Sequence, residues 1–164
     1  MRVIRMSEIK MRQFIIVRKD LNMSIGKTAV QCCHASQAWL YDKIAPIKKV
    51  ICEGYEHRVE LFYNTELFYI KDMNKDIYNH WIKNITTKTI CGAKNKTQLL
   101  KVKTLAEKIG LKEGDDFFLI YDRCLTELQA EEQDEKGGKT LTCIGFKPLP
   151  DETIQRISRK YQLL

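Results

Sequence analysis

Lys27 is preceded by Gly26 and followed by Thr28, in the centre of the stretch Asp20 to Trp39, DLNMSIGKTAVQCCHASQAW. Gly-Lys-Thr is the ending of a phosphate-binding P-loop, whose first glycine lets backbone N–H groups turn toward the phosphates. That first glycine would fall at position 21, which is leucine. The cradle therefore lacks its flexible entry, and the nucleotide reading falls away. A different chemistry follows from the helix expected to begin at Gly26. The positive end of a helix disfavours a further cation, so the ammonium of Lys27 must be compensated or used. At 100° per residue Lys27, Gln31, His34 and Ala38 share one face. The helix N-terminus, Lys27 and the donors of Gln31 and His34 thus compose a site for an anion, either a phosphate or a developing oxyanion. Helix geometry alone leaves open a merely solvated first-turn lysine.

Cysteine chemistry is a weaker candidate. Cys32 and Cys33 adjoin His34, but neighbouring helix residues point about 100° apart, which does not suit a Cys-His nucleophile or a metal site. The six cysteines at 32, 33, 52, 91, 124 and 143 form no C-x-x-C pair. Free thiols in a reducing cytosol are the expectation, with neither a disulfide framework nor a zinc cage.

The elements that must carry Lys27 can be read from the hydrophobic pattern. Gln13 to Val17, QFIIV, reads as a buried strand running into a polar loop. The helix then extends from Gly26 to about Ile44, with Ala29, Cys33, Ser36, Leu40 and Ile44 spaced to pack on a sheet. The segment RVELFYNTELFY is either a hairpin or an aromatic-rich helix. Thr87 to Lys94 reads as a second strand. Thr97 is positioned to cap a helix with Leu99, Val102, Leu105, Ala106 and Ile109 inward and Gly110 as its stop. FFLIYD, Phe117 to Asp122, is a third strand, and the acidic Glu127 to Lys139 a loop or hairpin turn. TLTCIGF is a fourth strand, and Asp151 a candidate N-cap for a last helix with Ile154, Ile157 and Tyr161 on one stripe. Alternating strands and helices predict an α/β fold: three α/β/α layers around a four-stranded mixed, mostly parallel sheet. The short route between the last two strands permits one antiparallel pair.

A chain of 164 residues with 44% hydrophobic and 30% charged residues has the balance of one soluble globular domain. No linker divides it. No apolar run approaches a bilayer span, and the basic N-terminus lacks the apolar core of a secretory signal, which points to the cytoplasm. A formal charge of +7 favours a polyanionic partner.

Val17, Arg18, Asp20, Leu21, Met23, Gly26, Lys27, Ala29, Gln31, Cys32, His34 and Ala35 fall in the pattern V-R-x-D-L-x-M-x-x-G-K-x-A-x-Q-C-x-H-A. This resembles the N-terminal signature of the archaeal and eukaryotic type of peptidyl-tRNA hydrolase, the second family. DRCLTEL stands where that family has D-A-G-x-T-[EQ]-[LIV], keeping Asp122, Thr126, Glu127 and Leu128. CIGFKPLPDETIQRISRKYQLL is similar to the family's closing strand, turn and a helix ending in Leu-Leu. The resemblance covers about Arg12 to Leu164, with an insertion at about 46–84. It departs at Arg123-Cys124, which replace Ala-Gly, and at the longer acidic segment Gln129 to Lys139.

The resemblance implies one hydrolase domain over 1–164 that cleaves the ester joining a peptide to the terminal ribose of tRNA, with no metal and no cofactor. Its partner would be peptidyl-tRNA and not a membrane, and a homodimer stays open. Lys27 would supply charge to the oxyanion or hold Asp122 ionised, and Asp122 would accept a proton from water or orient it. Thr126 would donate to the ester or fix the water, and His34 would shuttle a proton or contact the tRNA end. Gly26, Gln31 and Arg18 would lie on the substrate-binding side. Arg123 would pair with Asp122, reach the tRNA phosphates or point to solvent. The alternative function is a weakened or inactive RNA- or protein-binding module on the same fold.

Overall fold

A computed structural model describes residues 10–41, 43–46, 68–70, 75–83 and 86–164. Among these residues nine strands and four α-helices follow in the order β1 (Met11–Arg18), α1 (Ile25–Tyr41), β2 (Ile44–Pro46), β3 (Phe68–Ile70), α2 (Lys75–Ile77), β4 (Thr87–Ala93), α3 (Lys96–Lys108), β5 (Phe117–Asp122), β6 (Glu132–Asp134), β7 (Gly137–Phe146), β8 (Leu149–Pro150), α4 (Asp151–Ser158) and β9 (Gln162–Leu163). α2 continues into a π-helical turn, Tyr78–Ile82. Most of RVELFYNTELFY, Cys52 and the first nine residues lie outside the described residues. Of that region, Phe68–Ile70 pairs antiparallel with Ile44–Pro46.

The four expected strands are β1, β4, β5 and β7, and they form the body of a larger sheet. Its order is β5-β7-β1-β4-β9, with β6 on β7 and β8 on β1, seven strands in all. β1, β4 and β5 run one way. β7 runs against them and lies between β5 and β1, so β1–β4 is the parallel pairing among the four and the other two contacts are antiparallel. The added strands are short edge pieces of two or three residues, too brief to leave a pattern in the sequence.

Burial on both faces explains why β1 reads as a continuous apolar run. Phe14 and Ile16 join Leu99, Val102 and Ala106 of α3 and Ile154 and Ile157 of α4 on one side. Ile15 and Val17 join Cys32 and Ala35 of α1 on the other. Period two along the strand thus yields the three α/β/α layers.

The stripe of α1 that meets the sheet differs from the one its periodicity predicts. Gln31, Cys32, Ala35 and Trp39 are buried, while Ala29 and Cys33 are exposed and the helix ends at Tyr41. Hydrophobicity is a poor guide here because the contact is built from small and polar groups. A Cβ on Gly145 of β7 would lie 2.3 Å from the carbonyl oxygen of Ala35, so helix and strand touch backbone to backbone. Gln13, fully buried on β1, completes the seat by donating from Nε2 to the carbonyl oxygens of Ser36 (2.8 Å) and Phe146 (3.1 Å).

Three helix ends also differ from expectation. Asn95, not Thr97, caps α3: its side chain accepts from the Gln98 N–H at 2.9 Å. Gly110, at φ +90°, ends that helix as expected, and the following Leu111 N–H returns to the carbonyl of Ala106. Pro150 occupies the cap of α4, and Asp151 instead takes the guanidinium of Arg12 at 2.9 and 3.2 Å. α4 stops at Ser158, and the terminal residues turn back as β9 against Cys91 and Gly92 rather than extending the helix to Leu-Leu.

Gly145→Ala is expected to destabilise the protein by about 3 kcal/mol, because the Cβ meets backbone that cannot swing aside. The urea midpoint of the variant measures it, and a shift equivalent to less than about 1 kcal/mol would contradict the packing described.

Candidate functional site

The parallel direction of β1 and β5 puts the ends of both strands, and the start of α1, at one edge of the sheet. Asp122 is the last residue of β5 and Lys27 lies in the first turn of α1. Their side chains meet, Lys27 Nζ to Asp122 Oδ2, at 2.6 Å, with both largely buried. A lysine placed against the positive end of a helix is thereby compensated by a carboxylate from another element. Thr126 lies on the loop after β5, and its Oγ1 accepts from the same Nζ at 3.2 Å.

Asp122 is held by neutral donors as well. The Nε2 of Gln31 donates to its Oδ2 at 2.8 Å, and the backbone N–H of Cys124 donates to its Oδ1, also at 2.8 Å. Gln31 is 2% exposed and Asp122 8%. The orientation of the Gln31 amide is fixed from behind, where its Oε1 accepts from the hydroxyl of Thr142 at 2.7 Å. Thr142 can face α1 because the β5–β7 ladder shifts register between Ile120 and Tyr121. A β-bulge of this kind re-aims a side chain, and here both Thr142 and its neighbour Cys143 bond to Gln31.

The turn after Asp122 explains the glycine expected at position 124. Cys124 has φ +56°, in the left-handed region that glycine enters freely. That conformation aims its N–H back at the Asp122 carboxylate two residues earlier, an Asx-type turn. Cysteine preserves the turn at a steric cost, and its thiol donates to the carbonyl oxygen of Asp122 at 3.5 Å. Arg123 points away from Asp122 and pairs with Asp134 of β6 at 2.7 Å. The Asp134 carboxyl is accordingly pulled down to about 2, chiefly by that guanidinium.

The other candidate residues divide. Gly26 lies in the exposed first turn of α1 with open space where a Cβ would stand. His34 is exposed and makes no hydrogen bond or ion pair among the described residues, two helical turns from Lys27 or about 10 Å along the axis. Arg18 is buried, and all five of its N–H groups are taken. Nε and Nη2 bond Asp20 at 3.1 and 2.7 Å, Nη1 and Nη2 bond Glu131 at 2.7 Å each, and Nη1 also reaches the carbonyl oxygen of Leu141. Its pKa is raised, foremost by Glu131, and it ties the acidic loop to the end of β1. Cys124, Thr142 and Ser24 belong to this constellation without having been predicted. The hydroxyl three residues before Lys27 is the one signal the sequence offered for Ser24.

Around this edge stand two strongly exposed apolar side chains, Ile25 at 92% and Leu125 at 88%. A groove of about 610 Å³ lies on the other flank of α1, lined by Val17, Met23, Thr28, Ala29, Cys32 and Ile90 among others. Among the described residues no group of three or more His, Cys, Asp or Glu could hold a metal ion. The arrangement can offer a cation, a carboxylate and a hydroxyl to one polar bond.

Residues 11–164 match the family described as Peptidyl-tRNA hydrolase PTH2. Among curated proteins, a peptidyl-tRNA hydrolase of Methanopyrus kandleri is 31% identical over 156 residues, covering 93% of this chain and 97% of its own. Those of Thermoplasma acidophilum and Methanothermobacter thermautotrophicus are 26% and 27% identical over 153 and 154 residues, covering 93% and 94% of this chain and 97% and 100% of their own.

Cys124→Gly is expected to raise stability by about 1 kcal/mol by relieving the left-handed strain, read from the urea midpoint. The Arg18–Glu131 link makes a second expectation. Glu131 is held below its ordinary 4.5, mainly by Arg18. Its contribution is therefore complete above that value and lost as the pH falls through the lowered one. Glu131→Gln should be less stable than the parent at neutral pH, and the gap should close in acid. A gap that stays constant with pH would assign the effect to something other than the ion pair.

Proposed function

The chain belongs to the peptidyl-tRNA hydrolase PTH2 family and hydrolyses the ester bond of peptidyl-tRNA, and on that premise we propose that Lys27, Asp122 and Thr126 form its reacting centre. The observation that carries this reading is the 2.6 Å contact between Lys27 and Asp122 at the open edge of the sheet, with Thr126 on the same ammonium.

The hydrogen-bond inventory supports a role for each. An ammonium has three donors, and Lys27 gives two of them to Asp122 and Thr126. The third is free for the carbonyl oxygen of the ester and for the oxyanion it becomes. Thr126 accepts from Lys27, so its own hydroxyl hydrogen is free to donate to the ester or to hold the water. Asp122 Oδ2 is occupied by Lys27 and Gln31, whereas Oδ1 accepts one backbone N–H and keeps a second lone pair for a water. That water attacks the carbonyl carbon and passes a proton to Asp122. The tetrahedral intermediate collapses with cleavage of the bond to the ribose oxygen, which takes the proton as the tRNA departs. One water is consumed, and a peptide acid and a tRNA hydroxyl are formed.

Gln31 orients Asp122, Gly26 leaves space for substrate at the helix start, and His34 contacts the RNA rather than the ester. The alternative is a binding module that has lost turnover through the Arg123-Cys124 change. It is disfavoured because Cys124 retains the turn that serves Asp122 and Arg123 is engaged with Asp134. Arg18 supports the site from within, and the site needs no cofactor. The reaction belongs to a single domain with the 46–84 segment as its insertion, acting in the cytoplasm. No helix among the described residues is long and apolar enough to cross a membrane.

Lys27→Ala and Asp122→Ala should each lower the hydrolysis of N-blocked aminoacyl-tRNA by at least about a hundredfold while the far-ultraviolet dichroism stays that of the parent. Parent-like turnover by both variants would remove the proposed centre. Tight tRNA binding by the parent without release of tRNA would favour the binding module instead.

A further inference from the structure

Helix α1 begins with one half of a reciprocal cap. Ser24 stands at the N-cap: its Oγ accepts from the Lys27 N–H at 3.1 Å, and its carbonyl from the Thr28 N–H at 2.9 Å. In the usual form of this cap, the residue three positions on is Glu or Gln, whose side chain reaches back to the N–H of the capping residue. Here that position is Lys27, whose side chain is spent on Asp122, and the first turn of α1 contains no acidic residue. The missing acceptor arrives from another part of the chain. The carboxylate of Glu127 takes both the backbone N–H of Ser24 and, at 2.7 Å, its hydroxyl.

Glu127 immediately follows Thr126, whose hydroxyl oxygen bonds Lys27. Two consecutive residues of the loop after β5 are thus fastened to the first turn of α1, one at the cap and one at the ammonium. The charge is also apt, since a carboxylate at the positive end of the helix offsets the cation that Lys27 places there. Ser24 holds the Glu127 carboxyl below its usual range, first through its N–H and then through its hydroxyl.

We propose that Glu127 is a positioning residue for ester hydrolysis, supplying from a distant loop the carboxylate that the α1 cap lacks and so holding Thr126 against Lys27. This rests on the reading of Lys27, Asp122 and Thr126 as the reacting centre. The position three after the cap cannot serve both purposes: a glutamate there completes the cap and removes the catalytic cation. Placing the carboxylate on the loop satisfies the cap and couples it to the one element that must dock for Thr126 to act.

The test uses the full chain with N-blocked aminoacyl-tRNA, comparing Glu127→Ala, Glu127→Gln, Ser24→Ala and the Ser24→Ala/Glu127→Ala double variant, with rates taken per folded molecule from circular dichroism. Glu127→Ala should lower kcat about tenfold with KM within about twofold, the pattern of a misplaced reacting group and not of lost binding. Glu127→Gln should recover to within about threefold of the parent, because its amide oxygen still accepts from Ser24. The double variant should be at most about twofold slower than Glu127→Ala, since both changes act on one contact. Parent-like kcat in Glu127→Ala, no recovery by glutamine, or losses that multiply would each overturn the proposal. Lys27→Ala in the same series separates the two levels. If it is inactive while Glu127→Ala is parent-like, only the positioning role fails; if it is active, the reacting centre itself fails.

Discussion

The backbone contact between Ala35 and Gly145 sets the depth at which α1 lies on the sheet, and the polar contacts that α1 makes at the functional edge depend on that depth. With any side chain at 145 the helix would have to lift. Gln31 would then lose Thr142 behind it and Asp122 ahead of it, both of which it reaches at under 3 Å. Gln13 holds the same seat from β1, bonding the carbonyl of Ser36 on α1 and that of Phe146 on β7. The buried polar groups are thus spacers as much as bonds. No buried side-chain nitrogen or oxygen among the described residues lacks a partner, which keeps so polar an interface from being a liability.

Two opposed electrostatic demands are reconciled at the edge itself. The start of α1 favours negative charge, and the chemistry requires a positive one. Carboxylates from the end of β5 and the loop beyond it, Asp122 and Glu127, meet the first turn of α1 from outside, leaving its own sequence free to carry Lys27. A parallel arrangement of β1 and β5 with α1 crossing between them is what brings these groups to one place. The inserted β7, running the other way, supplies Thr142 and Gly145 from beneath.

Much of this was legible in the chain. β1, β4, β5 and β7 announce themselves by apolar runs, α3 by its periodicity and Gly110, and the need of Lys27 for a partner by a helix start that would otherwise reject it, with Asp122 entering as a candidate partner through the family resemblance. What escaped was whatever does not register as hydrophobicity. The buried stripe of α1 is built on a glutamine and an alanine, so its apolar periodicity pointed one residue away. β6, β8 and β9 are too short for a pattern of two to emerge. Arg18 reads as a free cation beside a substrate, yet its partner Glu131 is more than a hundred residues away, and such an ion pair leaves no local trace. The left-handed turn at Cys124 is hidden because the residue there is not the glycine its conformation would select.

The partners of β1 carry a consequence for the birth of the protein. The first strand among the described residues is also the central one of the sheet, yet its neighbours are β4, beginning at Thr87, and β7 and β8, reaching to Pro150. A nascent chain emerging from the ribosome therefore exposes Phe14 to Val17, an uninterrupted apolar β-segment, until the residues up to Pro150 have been made, on the order of ten seconds later at ordinary elongation rates. Such non-local pairing folds slowly, and an unpaired strand of this kind is an open template for aggregation. The sheet closes only after β7 and β8 have been made, so β1 precedes every one of its partners and is among the last strands to be satisfied.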